Sequence, residues 1–129
     1  MRVTIEVPND PVILEALLEA LTGINATILS RASTVLGGDV PRLYDAGIVY
    51  QREPRNREEW QTVLGNFKRG TGDCEDLATH LAAELRAYDG EPARAVVRRT
   101  GRNRLHAVVE RADGTIEDPS RVLGMGRRY

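Results

Sequence analysis

At 129 residues, 41% hydrophobic and 29% charged, the chain has the length of one domain and an ordinary globular composition, which excludes general disorder and fibrous classes. Surface scaling has a chain of this size bury about two-thirds of its extended area, enough for a core without staples. Eighteen basic residues against 19 acidic give no global electrostatic case for nucleic acid or an anionic membrane, and one cysteine excludes an internal disulfide and a multi-thiolate zinc cage.

Alternation over Arg2 to Val7 predicts a short strand. Asp10-Pro11 reads as a cap followed by proline at the first helical position. The helix it opens runs to about Thr34, with Ile13, Leu17, Leu21, Ile24 and Ile28 as its apolar stripe. Glu15 and Glu19 interrupt the apolar stretch from Val12 to Leu21, so no bilayer span is expected there. Gly37, Gly38 and Pro41 punctuate the next segment, and Ile48 to Tyr50 reads as extended. Asn56, with Glu59 in the reciprocal position, predicts the cap of a second helix whose stripe is Trp60, Val63, Leu64 and Phe67. Lys68 to Gly72 is a glycine-rich break. A third helix spans about Asp73 to Tyr88 and stops at Gly90 and Pro92. Strands follow at Ala93 to Arg99, Leu105 to Arg111 and Thr115 to Asp118. The expectation is one α+β domain over residues 1–129, helical over about 9–89, with an antiparallel sheet over about 93–119.

The lone thiol, Cys74, opens the third helix in the string GTGDCEDLATHLAAEL. Free first-turn N–H groups and the helix dipole favour a thiolate there and can receive a developing oxyanion. Gly70 and Gly72 permit a tight turn and close approach by a substrate, whereas Asp73, Glu75 and Asp76 crowd the thiol with negative charge. The competing reading makes Cys74 a small core residue, on one helical face with Ala78, Leu81 and Leu85.

His106 and Asp118 lie on the last two strands, and the turn between them decides whether they meet. A two-residue Asp113-Gly114 turn pairs Val109 with Asp118 and sends His106 to the other face. A three-residue loop with Gly114 left-handed pairs Arg111 with Thr115 and Val108 with Asp118, which puts His106 and Asp118 on one face. A catalytic reading requires the second.

A Gly-Asp-Cys-Glu-Asp helix start, a strand with His-Ala and an Asp-Pro after a hairpin resemble the transglutaminase-like branch of the papain-like cysteine enzymes, over about Trp60 to Ser120. The resemblance implies N-terminal helices packed on a small sheet, with Cys74 as nucleophile, His106 as general base and acid, and Asp118 orienting the imidazole. It implies acyl transfer on a protein or peptide, most simply a peptidase or amidase, with no cofactor and no metal. The papain-like glutamine six residues before the cysteine is Lys68 here, so the oxyanion donors named are the Cys74 N–H with Gln61 or Trp60. The usual aromatic after His-Ala is Val108. The run around Leu43-Tyr44 and the ending DPSRVLGM also resemble small proteins of tailed bacteriophages and prophages. That resemblance leaves a second class open, a non-catalytic virion or assembly protein using the first helix and the tail from Gly124 to Tyr129.

Other residues rank lower. His80 lies about 240° around the helix from Cys74 and reads as a surface or packing residue. A zinc site from Cys74, His106 and Asp118, and calcium at Asp73, Glu75 and Asp76, compete with triad and capping roles. Arginines 94, 98, 99, 102, 104 and 111 make the hairpin basic, without aromatics for nucleic-acid stacking. No nucleic-acid or membrane partner is expected. A lone reduced thiol and no basic-then-apolar leader give a cytoplasmic expectation, virion-associated under the second class.

Overall fold

The computed structural model describes residues 2–4, 10–36, 40–52, 59–101 and 104–126. Its elements are β1 (Arg2–Thr4), α1 (Pro11–Leu36), a 3-10 turn (Leu43–Asp45), β2 (Val49–Tyr50), β3 (Glu59–Gln61), α2 (Val63–Arg69), β4 (Thr71–Gly72), α3 (Cys74–Asp89), β5 (Arg94–Gly101), β6 (Arg104–Glu110), β7 (Ile116–Glu117) and α4 (Pro119–Val122). The architecture is α+β. The helices α1 and α3 pack on each other and against the β5–β6 hairpin.

Asp10 starts α1 as its sequence suggests, its carboxylate accepting from Val12 N–H at 2.9 Å and Ile13 N–H at 3.4 Å. The buried face shares Leu21 with the predicted stripe and is otherwise displaced from it by one position. Leu14, Leu18, Leu21, Leu29 and Ala32 are buried, while Ile13 and Ile24 are about two-fifths exposed at 42% and 41%. Thr22 and Asn25 also lie on the inner face, so a purely apolar pattern could not find it. Thr22 Oγ1 donates to Leu18 O at 2.7 Å. Asn25 accepts from Val63 N–H at 3.0 Å and donates to Thr79 Oγ1 at 3.3 Å, so buried polarity is satisfied across three helices. By length and composition, 11–32 is long and apolar enough to cross a membrane, at a mean hydropathy of 1.7. The core helix of a globular fold passes the same test, and here Glu15 and Glu19 are engaged by Val97 N–H and Arg86.

The predicted second helix is corrected. Residues 59–61 form β3, antiparallel to β1 with Val3 opposite Trp60, and the helix begins only at Val63. The Gln61 N–H is drawn to the buried Asp76 carboxylate at 2.9 Å, which holds this backbone extended. Asn56 lies outside the described residues. Trp60 and Val63 are buried as expected, but Leu64 is 47% exposed and Asn66 takes the inner place. The glycine-rich break contains a strand too: β4 pairs in parallel with β2, Val49 opposite Thr71 and Tyr50 opposite Gly72.

Helix α3 matches its predicted span. Asp73 and Asp76 form a reciprocal capping box, and Gly90 closes the helix at φ 65°. Its face of Leu77, Ala78, Leu81, Ala82 and Leu85 meets Leu14, Leu18 and Leu21 of α1 and Ala95, Ala107 and Val109 of the sheet. The sheet has the order β5-β6-β7, all antiparallel.

Candidate active site

The three-residue turn is the one formed. Arg111 N–H donates to Thr115 O at 2.8 Å, Gly114 adopts φ 86°, and Val109 lies opposite Glu117. One step further along this register places Asp118 opposite Val108, on the face that carries His106. There His106 Nε2 meets Asp118 Oδ2 at 2.8 Å, both side chains being mostly buried. His106 Nδ1 is then the ring nitrogen left for other chemistry, since Nε2–H donates to the carboxylate.

Asp118 carries a second duty that the sequence reading missed. Its Oδ1 accepts from Ser120 N–H at 3.1 Å and Arg121 N–H at 3.4 Å, capping the short α4 with Pro119 at the first position. The Asp-Pro pair is a helix-start signal of the same kind as Asp10-Pro11, so it was available in the sequence.

Cys74 sits at the first position of α3, partly buried against the main core. Its thiol lies against the backbone N–H of Ala107, next to His106 in the chain. The thiol donates to Glu75 Oε2 at 3.4 Å, and no hydrogen bond joins it to His106. Burial pushes the thiol well above its ordinary pKa, the Glu75 and Asp73 charges push further, and the Ala107 N–H acts in the opposite sense. The contest anticipated between helix dipole and acidic neighbours therefore goes to burial and the acids.

The neighbours are fixed from several elements. Asp76 is fully buried rather than solvated, with Oδ1 on Gln61 N–H and Oδ2 on Asp73 N–H at 3.2 Å; burial raises its pKa. A Cβ at Gly72 would fit tightly, 3.1 Å from Asp76 Cβ and 3.2 Å from Leu77 Cδ2, so those neighbours would have to give by a few tenths of an ångström. Gly72 thus approaches the chain's own helix closely. Tyr50, opposite Gly72, packs on the same core as Cys74, and its phenol is raised by burial first and by Cys74 next. The sequence reading did not single it out, because a parallel pairing over 22 positions leaves no local signal.

Of the named oxyanion donors, Gln61 is committed: its amide donates to Thr71 O at 2.6 Å. Trp60 Nε1 is buried and has no partner among the described residues, and the Cys74 N–H belongs to the first turn, whose donors have no intrahelical partner.

His80 is a packing residue, fully buried, edge-on to Phe67 with ring centroids 5.2 Å apart, and its Nδ1 accepts from Asn66 Nδ2 at 3.0 Å. Among the described residues no three His, Cys, Asp or Glu side chains are placed to hold a metal ion, whether Cys74, His106 and Asp118 or the acids beside the thiol. The hairpin arginines face more acid than Glu110 alone. Arg94 pairs with Glu110, and Arg111 bridges Glu91 and Glu117.

Compared with known proteins, the chain matches no family model, no curated protein and no solved structure.

Proposed function

We propose that the chain is a cysteine-nucleophile acyl-transfer enzyme of transglutaminase-like kind, a peptidase or amidase acting on a protein or peptide, with Cys74, His106 and Asp118 as its triad. The observation that carries this reading is the His106–Asp118 pair at 2.8 Å on the strand whose next N–H faces the thiol. Asp118 holds the Nε2–H tautomer, so Nδ1 takes the Cys74 proton and later returns it to the leaving amine. A carbonyl attacked at this helix end can place its oxyanion on the Cys74 N–H, with the Trp60 indole N–H as the second donor. The setting is cytoplasmic, and the reading calls for no metal or cofactor.

A second reading, a non-catalytic phage virion or assembly protein on the same scaffold, is favoured by one observation: the thiol's hydrogen bond goes to Glu75 and not to His106. Reaction with p-nitrophenyl acetate separates the two. A triad releases a burst of nitrophenol and leaves an acetyl group on Cys74, a product lost in Cys74→Ser and strongly slowed in His106→Ala. Slow, burst-free release that is indifferent to His106 selects the scaffold reading.

A further inference from the structure

We propose that the outer edge of β5, from Val97 to Gly101, docks an extended acidic segment of a partner protein, which joins the sheet as an added strand with its carboxylates on Arg98, Arg99 and Arg104. The inference goes beyond the acyl-transfer reading and does not depend on it.

Among the described residues β5 ends the sheet on one side, with β6 as its neighbour on the other. Such an edge presents unpaired N–H and C=O groups and is a template for a further strand. Here the edge already holds a carboxylate. Val97 N–H, turned away from β6, donates to Glu15 Oε2 of α1 at 2.9 Å. Its opposite number, Ala107, turns its N–H the other way, towards the thiol, as a pair without mutual hydrogen bonds requires. Backbone direction alternates along a strand, so the N–H and C=O of Arg99 point to the same open side as those of Val97. No carboxylate covers Arg99 among the described residues, and residues 98–101 are all exposed.

The side chains at this end of the hairpin are of one sign. Arg98 lies opposite His106, Arg104 stands two residues before His106 on the same face, and Arg99 lies opposite Leu105 on the other face. All three are exposed and form no ion pair among the described residues, whereas Arg42, Arg86, Arg94 and Arg111 each bind a carboxylate. Arg98 and Arg104 are diagonal neighbours, so their repulsion stays uncompensated until a counter-charge arrives. A strand with carboxylates on both faces supplies it. One row meets Arg98 and Arg104, the alternate row meets Arg99, and the added main chain pairs with that of Arg99. A second copy of this chain fits worse, because an antiparallel β5 brings arginine against arginine. Nucleic acid has no peptide groups to offer the edge, and β5 and β6 carry no Phe, Tyr or Trp for base stacking.

The test uses the full chain and a short fluorescein-labelled peptide of Glu-Glu-Thr-Thr repeats, whose glutamates fall on both faces of a strand, with binding read by anisotropy. It should bind about tenfold or more tightly than the same peptide with glutamine for glutamate, and more weakly as salt rises. A fully N-methylated version keeps the charges, cannot donate to the edge, and should lose most of the binding. Arg98→Gln and Arg99→Gln should each weaken binding by about threefold, and Arg52→Gln, exposed elsewhere, should not. Hydrogen exchange at the Arg99 amide, followed by NMR, should slow in the complex. Equal binding of the glutamate and glutamine peptides overturns the proposal, and that arm needs no variant to fold. A loss as large in Arg52→Gln overturns it as well. Oligothymidine bound as tightly as the acidic peptide assigns the arginines to nucleic acid instead, and a dimer formed through this edge assigns it to a second copy; either result overturns the acidic strand. Cys74→Ser should bind the peptide as the wild type does, so failure of acyl transfer and failure of docking are read separately.

Discussion

Asp118 divides its two oxygens between different tasks, Oδ2 to the imidazole and Oδ1 to the first turn of α4. Substitutions can separate them. Asparagine is as good a helix cap as aspartate, so Asp118→Asn should leave thermal stability nearly unchanged while slowing acetyl transfer to Cys74 by about 100-fold or more. Asp118→Ala should lose the same reactivity and in addition about 1 kcal/mol of stability, read from urea unfolding. An Asn variant that keeps full reactivity would remove Asp118 from the triad. Both roles were partly readable beforehand. The Asp-Pro string and the His-Ala strand are local patterns, whereas the attachment of the thiol to Glu75 depends on how deeply Cys74 is buried, and no spacing reports that.

The elements that were legible carry their own start and stop signals. Asp10 and Asp73 cap α1 and α3, Gly90 ends α3, and Gly114 sets the hairpin turn. What stayed hidden depended on distant partners: β3 on β1, β4 on β2, and the inner face of α1 on Asn25, which reads as polar until Val63 and Thr79 are opposite it. Two predictions belong here. Gly114→Ala forces a left-handed conformation on a residue with a Cβ, costing about 1–2 kcal/mol. Because that turn sets which residue faces His106, the variant should also lose the His106–Asp118 contact, seen as changed imidazole chemical shifts by NMR; unchanged shifts would show that the register does not depend on this glycine. Asn25→Ala leaves the Val63 N–H buried without its acceptor and should cost about 1–3 kcal/mol in the same unfolding measurement.

Over the whole molecule, buried titratable groups on α3 and its N-cap dominate the pH dependence of stability. Burial raises Glu84 to about 7, although Leu43 N–H donates to it at 2.6 Å, and raises Asp76 as well; burial lowers His80 to about 3. For the acids the folded pKa lies above the unfolded one, so their contribution is complete below the unfolded value near 4 and is lost as pH rises towards 7. For His80 the folded pKa lies below the unfolded value of 6.5, so its contribution is complete above that and is lost as pH falls. Burial raises Asp73 in the same sense, so between about pH 5 and 6.5 the acids outnumber the one histidine and stability should fall as pH rises through this window. Glu84→Gln should flatten that fall. Melting temperatures taken across the window check both, and a wild type that gains stability with rising pH would contradict the assignment.

The two-residue β2–β4 pairing also ties the last turn of the described chain to the thiol. Tyr50 N–H donates to Leu123 O at 3.0 Å, and the next residue, Gln51, donates its N–H to Gly72 O at 2.9 Å, two positions before Cys74. These bonds lie in series along one strand. Tension applied to the segment after Leu123, by a bound partner or an optical trap, therefore pulls on the approach to the N-terminus of α3 as well as on the apolar core that Leu123 and Tyr50 touch. Under load, this chain should disturb the surroundings of Cys74 together with its core.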